Sequence, residues 1–255
     1  MKILISNDDG VRASGINFLK NELSKKHDVI TVAPHQERSS CGHGITLGDP
    51  IRVTKLDEST YSCSGTPADC ILIGVGNICK DDLPDLVVSG INHGANLGQD
   101  RYYSGTIAAA REATFRGIPA IAVSLVTKNL KDLEHFEVAS EFISKLVDLN
   151  VQECIPAKSL LNINVPNLPW NEISGVKVTT PGFQQYSEEV IERVDGRGKA
   201  YYWVGGTYRG YDEIEGSDCV EAYRGYITIN LQCLQGKEVD DLEFTQKLKD
   251  LVKNL

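Results

Sequence analysis

Residues 7–10 read Asn-Asp-Asp-Gly and follow directly on the apolar run "KILIS" at 2–6. Two carboxylates side by side where a buried strand ends repel each other, so one must stay protonated, both must reach water, or a cation must sit between them. Hard divalent cations such as Mg²⁺, Mn²⁺ and Ca²⁺ take oxygen ligands, and Asp8 and Asp9 offer charged ones. Taken alone, the tetrapeptide is also an ordinary Asp-Gly turn. Two further polar loops add oxygen donors: "HQERSSCGHG" at 35–44, with Glu37, Arg38, Ser39 and Ser40, and "SGINHGANLG" at 89–98, with Asn92, His93 and Asn96. In "YYSGTIAAARE" at 102–112, Ser104, Gly105 and Thr106 open a small-residue helix. Backbone N–H groups at such a start favour an anion, so phosphate is the expected counterpart of the cation.

Other chemistries find less support. No loop carries a Walker A or Gly-x-Gly-x-x-Gly pattern, and no Gly-x-Ser-x-Gly elbow is present. The five histidines are scattered; His43 and His93 lie in the loops of interest, but none has the spacing of a zinc site. Seven cysteines, odd in number and without a Cys-x-x-Cys pair, read as reduced, mostly buried thiols.

These loops sit where a parallel α/β sheet would place them. Apolar runs at 2–6, 28–34, 85–90, 118–125 and 160–166 alternate with helical patterns after Ser14, with Ile16, Leu19 and Leu23 apolar, and at 67–78, 104–116 and 133–149. Ser14 is read as the cap of the first helix, and Thr66 with Pro67 and Asp69 as the capped start of the second. In an open sheet of this kind ligands bind beyond the carboxyl ends of the strands. After Pro169 the composition shifts to Gly, Tyr and charge, and "YYWVGG" at 201–206 with "GYITINLQ" at 225–232 reads as an exposed antiparallel hairpin, before a final helix at about 239–253. One domain over 1–255 is expected, with a Rossmann-like core at about 1–166 and a β-rich C-terminal part at about 167–255.

Composition bounds the partners. The 35 acidic against 26 basic residues give a net charge of −9, which repels a nucleic-acid backbone, so no stable nucleic-acid binding is expected. No apolar run approaches the roughly 18–20 residues that span a bilayer, and the chain begins with a strand rather than a leader. A cytoplasmic protein with no membrane partner is the expectation.

The segments "ILISNDDGVRASGI", "VAPHQERSSCGHGIT", "GTPADC", "PDLVVSGINHGANLGQDRYYSGTIAAARE" and "LNINVP" occur in the order found in the survival protein E (SurE) family, which the chain resembles densely over residues 1 to about 166. The family comprises metal-dependent 5'/3'-nucleotidases. The resemblance implies one divalent cation per subunit, Mg²⁺ or Mn²⁺, held by Asp8, Asp9, Ser39 and Asn92. It implies phosphate contacts at Ser39, Asn96, Ser104, Gly105 and Thr106, with Asp8 and Asp9 as the catalytic carboxylates. It further implies a nucleoside monophosphate substrate and assembly as a homodimer or homotetramer through C-terminal elements. "ITIN" at 227–230 departs from the Thr-Pro that commonly ends this strand in the family.

Two alternatives share parts of this pattern. A receiver-like Mg²⁺-binding regulatory domain also starts with a strand ending in an acidic pair. It needs an acceptor aspartate at a later strand end, where this chain has Ser89, Gly90 and Asn92, and a lysine ending a following strand, which "IPAIAVSL" does not immediately supply. A haloacid-dehalogenase-like phosphatase needs Asp-x-Asp rather than adjacent aspartates. Asp8 is the candidate to orient or deprotonate an attacking water, with its direct attack on phosphorus left open.

Overall fold

Strand β1 (Lys2–Ser6) sends Ile3 and Ile5 into one hydrophobic layer and Leu4 into the other, as a period-two element covered on both faces must. The computed structural model describes residues 1–127, 134–187 and 189–235; the helix expected at 239–253 lies outside them. Along the chain follow α1 (Ser14–Leu23), β2 (Asp28–Pro34), β3 (Val53–Lys55), β4 (Thr60–Cys63) and α2 (Pro67–Ile73), the last extended by a π-helical turn to Ile78. Next come β5 (Leu86–His93), α3 (Gly105–Phe115), β6 (Ala120–Val126), α4 (Phe136–Asp148), α5 (Val151–Cys154) and β7 (Ser159–Pro166). The C-terminal part adds β8 (Gly175–Val178), β9 (Gln184–Tyr186), β10 (Glu189–Val194), β11 (Ala200–Gly205), β12 (Tyr208–Tyr211), α6 (Asp218–Tyr223) and β13 (Tyr226–Cys233).

Nine strands form the main sheet in the order β3-β4-β2-β1-β5-β6-β7-β13-β8. From β4 to β7 every neighbour is parallel. The direction of winding reverses between β1 and β5, which makes their carboxyl ends the switch point of the sheet. Helices α1 and α4 cover one face through Ile16, Leu19, Phe136 and Ile143; α2 and α3 cover the other through Ile71, Ile107, Ala109 and Ala113. Fully burying a leucine such as Leu19 contributes roughly 1.5–3 kcal/mol. The alanines of α3 let that helix lie close against Ala120 and Ala122 of β6, which holds its first turn near the strand ends.

Two local expectations change. Ala13, not Ser14, is the N-cap of α1, and it makes no side-chain bond to the helix; Ser14 already has helical geometry. The runs at 201–206 and 225–232 do not pair with each other. Instead β11 pairs antiparallel with β10 as a separate ribbon, while β13 joins the main sheet, antiparallel to β7 and parallel to β8. Alternation reported two strands correctly, but β11 is exposed on both faces and β13 is largely buried, and the pattern carried no information on their partners. Thr66 does cap α2 with a reciprocal capping box to Asp69, Pro67 following it.

Candidate active site

Asn7, wholly buried, closes the turn after β1: its Nδ2 donates to Gly10 O at 2.9 Å and Gly10 N donates back to its Oδ1 at 3.2 Å. Gly10 has φ +104°, a conformation that a side chain would strain. The turn therefore fixes Asp8 and Asp9 at the switch point. Arg38 N donates to Asp8 O at 2.7 Å, which ties the loop carrying Ser39 to the same turn.

Asp8 is 4 % exposed. Burial pushes its carboxyl above the ordinary value, against the Thr106 hydroxyl, which donates to Oδ1, and the backbone N–H groups of Thr106 and Gly105. Asp9 Oδ2 accepts from His93 N at 3.1 Å, and burial together with the Asp8 charge pushes this carboxyl up to about 6. Both groups resist ionisation here, and a divalent cation would relieve both at once. The remaining oxygens suit a hard ion. Asn92 Nδ2 donates to Gly94 O at 2.8 Å, so its Oδ1 is the acceptor left over, and the exposed Ser39 donates to Glu37 Oε1 at 2.6 Å, keeping its lone pairs. Among the described residues no group of three or more His, Cys, Asp or Glu is placed to hold a metal ion by itself. Two carboxylates with neutral oxygens fit Mg²⁺ or Mn²⁺, which retain water or substrate ligands, better than zinc.

A cleft of about 560 Å³ opens over this turn, lined by Asp8, Ser39, Asn92, Asn96, Ser104 and, from the C-terminal part, Tyr186 and Gly206 among others. Asn96 is set by a buried polar network: its Nδ2 donates to Ser124 Oγ at 2.7 Å, its N donates to Asn164 Oδ1 at 2.8 Å, and its O accepts from Asn162 Nδ2 at 2.9 Å. Ser104 caps α3, accepting from Ile107 N at 3.1 Å, and keeps its hydroxyl hydrogen for a ligand. A second cavity of about 680 Å³ shares Ala95, Asp100 and Tyr186 with the cleft and carries Tyr208, Tyr211 and Tyr223.

The placement of Gly105 and Thr106 differs from the expectation. Neither lines the cleft; a Cβ on Gly105 would stand 2.8 Å from Asp8 Cβ, and Thr106 is fully buried with its hydroxyl on Asp8. The anion at this helix start is the Asp8 carboxylate itself, so these two residues act on the substrate only through it. Of the two loop histidines, His93 lines the cleft and His43 turns away, with Nε2 3.0 Å from Glu112 Oε2. Residues that sequence reasoning missed include Asn162, Asn164 and Tyr186. The two asparagines were visible as a polar i, i+2 pair inside an apolar strand; Tyr186 carried no such signal. All seven cysteines are free, and Cys63, Cys70, Cys79 and Cys219 are buried.

The description "Survival protein SurE" belongs to the family model that matches residues 3–188. The chain belongs to this family. It is 44% identical over 229 residues to "5'-nucleotidase SurE" of Geotalea uraniireducens (strain Rf4), covering 90% of this chain and 91% of that one. It is 45% identical over 229 residues to the protein of the same name from Vibrio parahaemolyticus serotype O3:K6 (strain RIMD 2210633), covering 90% and 87%. The crystal structure of the SurE protein from Aquifex aeolicus superposes with a TM-score of 0.84 at 36% identity, covering 98% of this chain and all of that one. Mixed sheet, flanking helices and additional C-terminal strands are thus the family's architecture.

Proposed function

We propose that this chain hydrolyses nucleoside 5'-monophosphates to nucleoside and phosphate as a divalent-cation-dependent phosphomonoesterase, with 3'-monophosphates as a second substrate class to be assayed. The observation that carries this reading is Asp8, buried yet opening on a cleft whose other walls are Asn92, Asn96 and Ser104. The names of the curated relatives, all 5'-nucleotidases, support it.

Asp8, Asp9, Ser39 and Asn92 would hold one Mg²⁺ or Mn²⁺ per subunit. When bound, such an ion supplies positive charge to the phosphoryl oxygens and makes water more acidic. The chain's own groups do the rest. Asp8, oriented by Thr106, takes a proton from the attacking water as its oxygen bonds to phosphorus and the ester bond to the nucleoside oxygen breaks, and that proton is returned to the departing nucleoside oxygen. Ser104 donates its hydroxyl hydrogen, and Asn96 its second amide hydrogen, to the phosphoryl group, whose charge increases in the transition state. The nucleoside lies in the adjoining tyrosine-lined cavity, where a base has aromatic faces to stack on and Asp100 as a polar neighbour.

The chain works in the cytoplasm as a homodimer or homotetramer; among the described residues no helix is long and apolar enough to cross a membrane. Phosphate release from a panel of nucleoside monophosphates, with Mg²⁺, Mn²⁺ or chelator, tests the reading. Release that is absent with every cation overturns it. The stereochemical course at a phosphorus made chiral with oxygen isotopes separates attack by water, which inverts it, from attack by Asp8, whose second displacement by water restores it.

A further inference from the structure

A pocket that shares no residue with the cleft lies against the outer side of α3 and the end of β13. It encloses about 480 Å³ and is lined by Arg101, Arg111, Tyr102, Phe115 and Gln232 among others. Three buried polar atoms without a hydrogen-bond partner among the described residues belong to this one pocket: Arg101 Nε, Arg111 NH2 and Gln232 Oε1. Orphaned buried groups are uncommon in folded chains, so three together call for a cause.

The two guanidiniums are also short of counter-charge. Neither makes an ion pair among the described residues. Arg101 donates to Tyr102 OH at 3.1 Å and lies over that ring at 5.0 Å; Arg111 NH1 is 3.5 Å from His43 Nδ1. The nearby carboxylate of Glu112 is taken by His43 and by Arg116 Nε at 3.1 Å. Burial, with the Arg101 charge adding to it, lowers the affinity of Arg111 for its proton. In a chain of net charge −9, two adjacent cations without a carboxylate partner run against the overall composition.

We propose that Arg101 and Arg111 form a binding site for a phosphate-bearing small molecule, separate from the cleft of Asp8. Two planar forks around a concave space match the several oxygens of a phosphate. Tyr102 and Phe115, 59% and 61% exposed, offer ring faces at the rim for whatever carries the phosphate.

The test is calorimetric titration of the full chain with inorganic phosphate after the cations have been stripped on a chelating resin, which silences the cation-dependent cleft. One site per chain is expected. Arg111→Gln and Arg101→Gln should each weaken it about ten- to a hundredfold, and Arg111→Lys, which keeps charge but not the fork, should recover part of the loss. AMP in place of phosphate should bind at least as tightly, with the same dependence on Arg111, if the rim holds the organic body. Phosphate binding indifferent to both glutamine variants overturns the proposal, as does no binding at all. So does a lowered sedimentation coefficient in the variants with unchanged phosphate binding, which would assign the pair to a contact between copies. Because the readout is binding without cation, it stands or falls apart from the proposed reaction.

Discussion

The turn after β1 and the β10–β11 ribbon invert the usual partition of side chains in opposite senses. At the turn, charge is buried: Asp8 is 4 % exposed and Asp9 is largely enclosed. In the ribbon, apolar surface is exposed on both faces, with Trp203 at 65% and Val204 at 84%. Each departure costs free energy in the isolated chain and becomes favourable with something added, a cation for the carboxylates and a covering surface for the ribbon. The lesson is that the proposed cation and the proposed assembly both fall where the single chain is least satisfied.

The largest expected effect breaks the first half of this comparison. Asp9→Asn should lower turnover at least about a hundredfold, because one charged ligand supplies several kcal/mol of the cation's hold and action. The same change should stabilise the cation-free protein. Asp9 has a folded value of about 6 against 3.8 for the free group, so the unfolded chain ionises first as pH rises and the penalty, absent below 3.8, is complete above 6. At pH 8 the variant should therefore unfold about 3 kcal/mol harder, and below pH 4 no harder than wild type. Denaturant curves at the two pH values check both, and equal stability at pH 8 would show the carboxylates are not in conflict.

Next in size are the residues that position this pair. Thr106→Val should reduce kcat about ten- to a hundredfold and raise the cation concentration needed for half-maximal rate, with KM little changed, since its hydroxyl meets Asp8 and not the cleft. A rise in KM alone would return Thr106 to the phosphate. Asn92→Ala should also raise the cation requirement while sparing saturated turnover more than Asp9→Asn does. Kinetics with cation and AMP varied independently distinguish the three.

How much of this was legible in the sequence follows from locality. The acidic pair, its turn glycine and the capping box at Thr66 are each fixed by neighbours within a few residues, and the structure places them on a strand end and a helix start as their types demand. Thr106 and Asp8 are 98 positions apart, and Asn96 reaches Asn164 across 68; such contacts depend on strand order, which residue spacing does not encode. Tyr186 and Gly206 reach the cleft for the same reason, from a segment whose alternation said nothing of its partner. The proposed site at Arg101 and Arg111 was invisible because, although both lie within one sequence motif, nothing in their spacing tells that they share a pocket with the end of β13.

A smaller effect concerns stability at the edge of the site. Asp69, 1% exposed, is opposed by burial, but Thr46 N and Oγ1 donate to it at 3.0 and 2.6 Å and Thr66 N at 2.9 Å, and these bonds together hold its carboxyl below the ordinary value. A carboxyl lowered in this way adds stability that is present above the unfolded value and lost as pH falls through the folded one. Asp69→Asn should cost about 1–3 kcal/mol at pH 7 and progressively less below pH 4. A cost unchanged at pH 3 would mean the loss is one of packing rather than of charge.

The smallest expected effect on the folded protomer sharpens the second half of the comparison. In β10 and β11 every residue is exposed, so removing Trp203 and Val204 side chains from the ribbon takes no contact from the main core. The double substitution Trp203→Ser with Val204→Ser should change the protomer's stability by no more than about 0.5 kcal/mol. Assembly should respond quite differently. A ribbon of two strands is marginal in water by itself, and its apolar side chains become favourable only against another surface, which in a homo-oligomer is a second copy. Wild type is therefore expected to sediment as a dimer or larger species, and the double variant to dissociate at about tenfold or more higher protein concentration. Since Tyr186 and Gly206 flank the ribbon and line the cleft, activity per chain should fall with dissociation and recover as protein concentration is raised. A wild type of one 28.0 kDa species at micromolar concentration would leave the ribbon's exposed face without the role assigned to it.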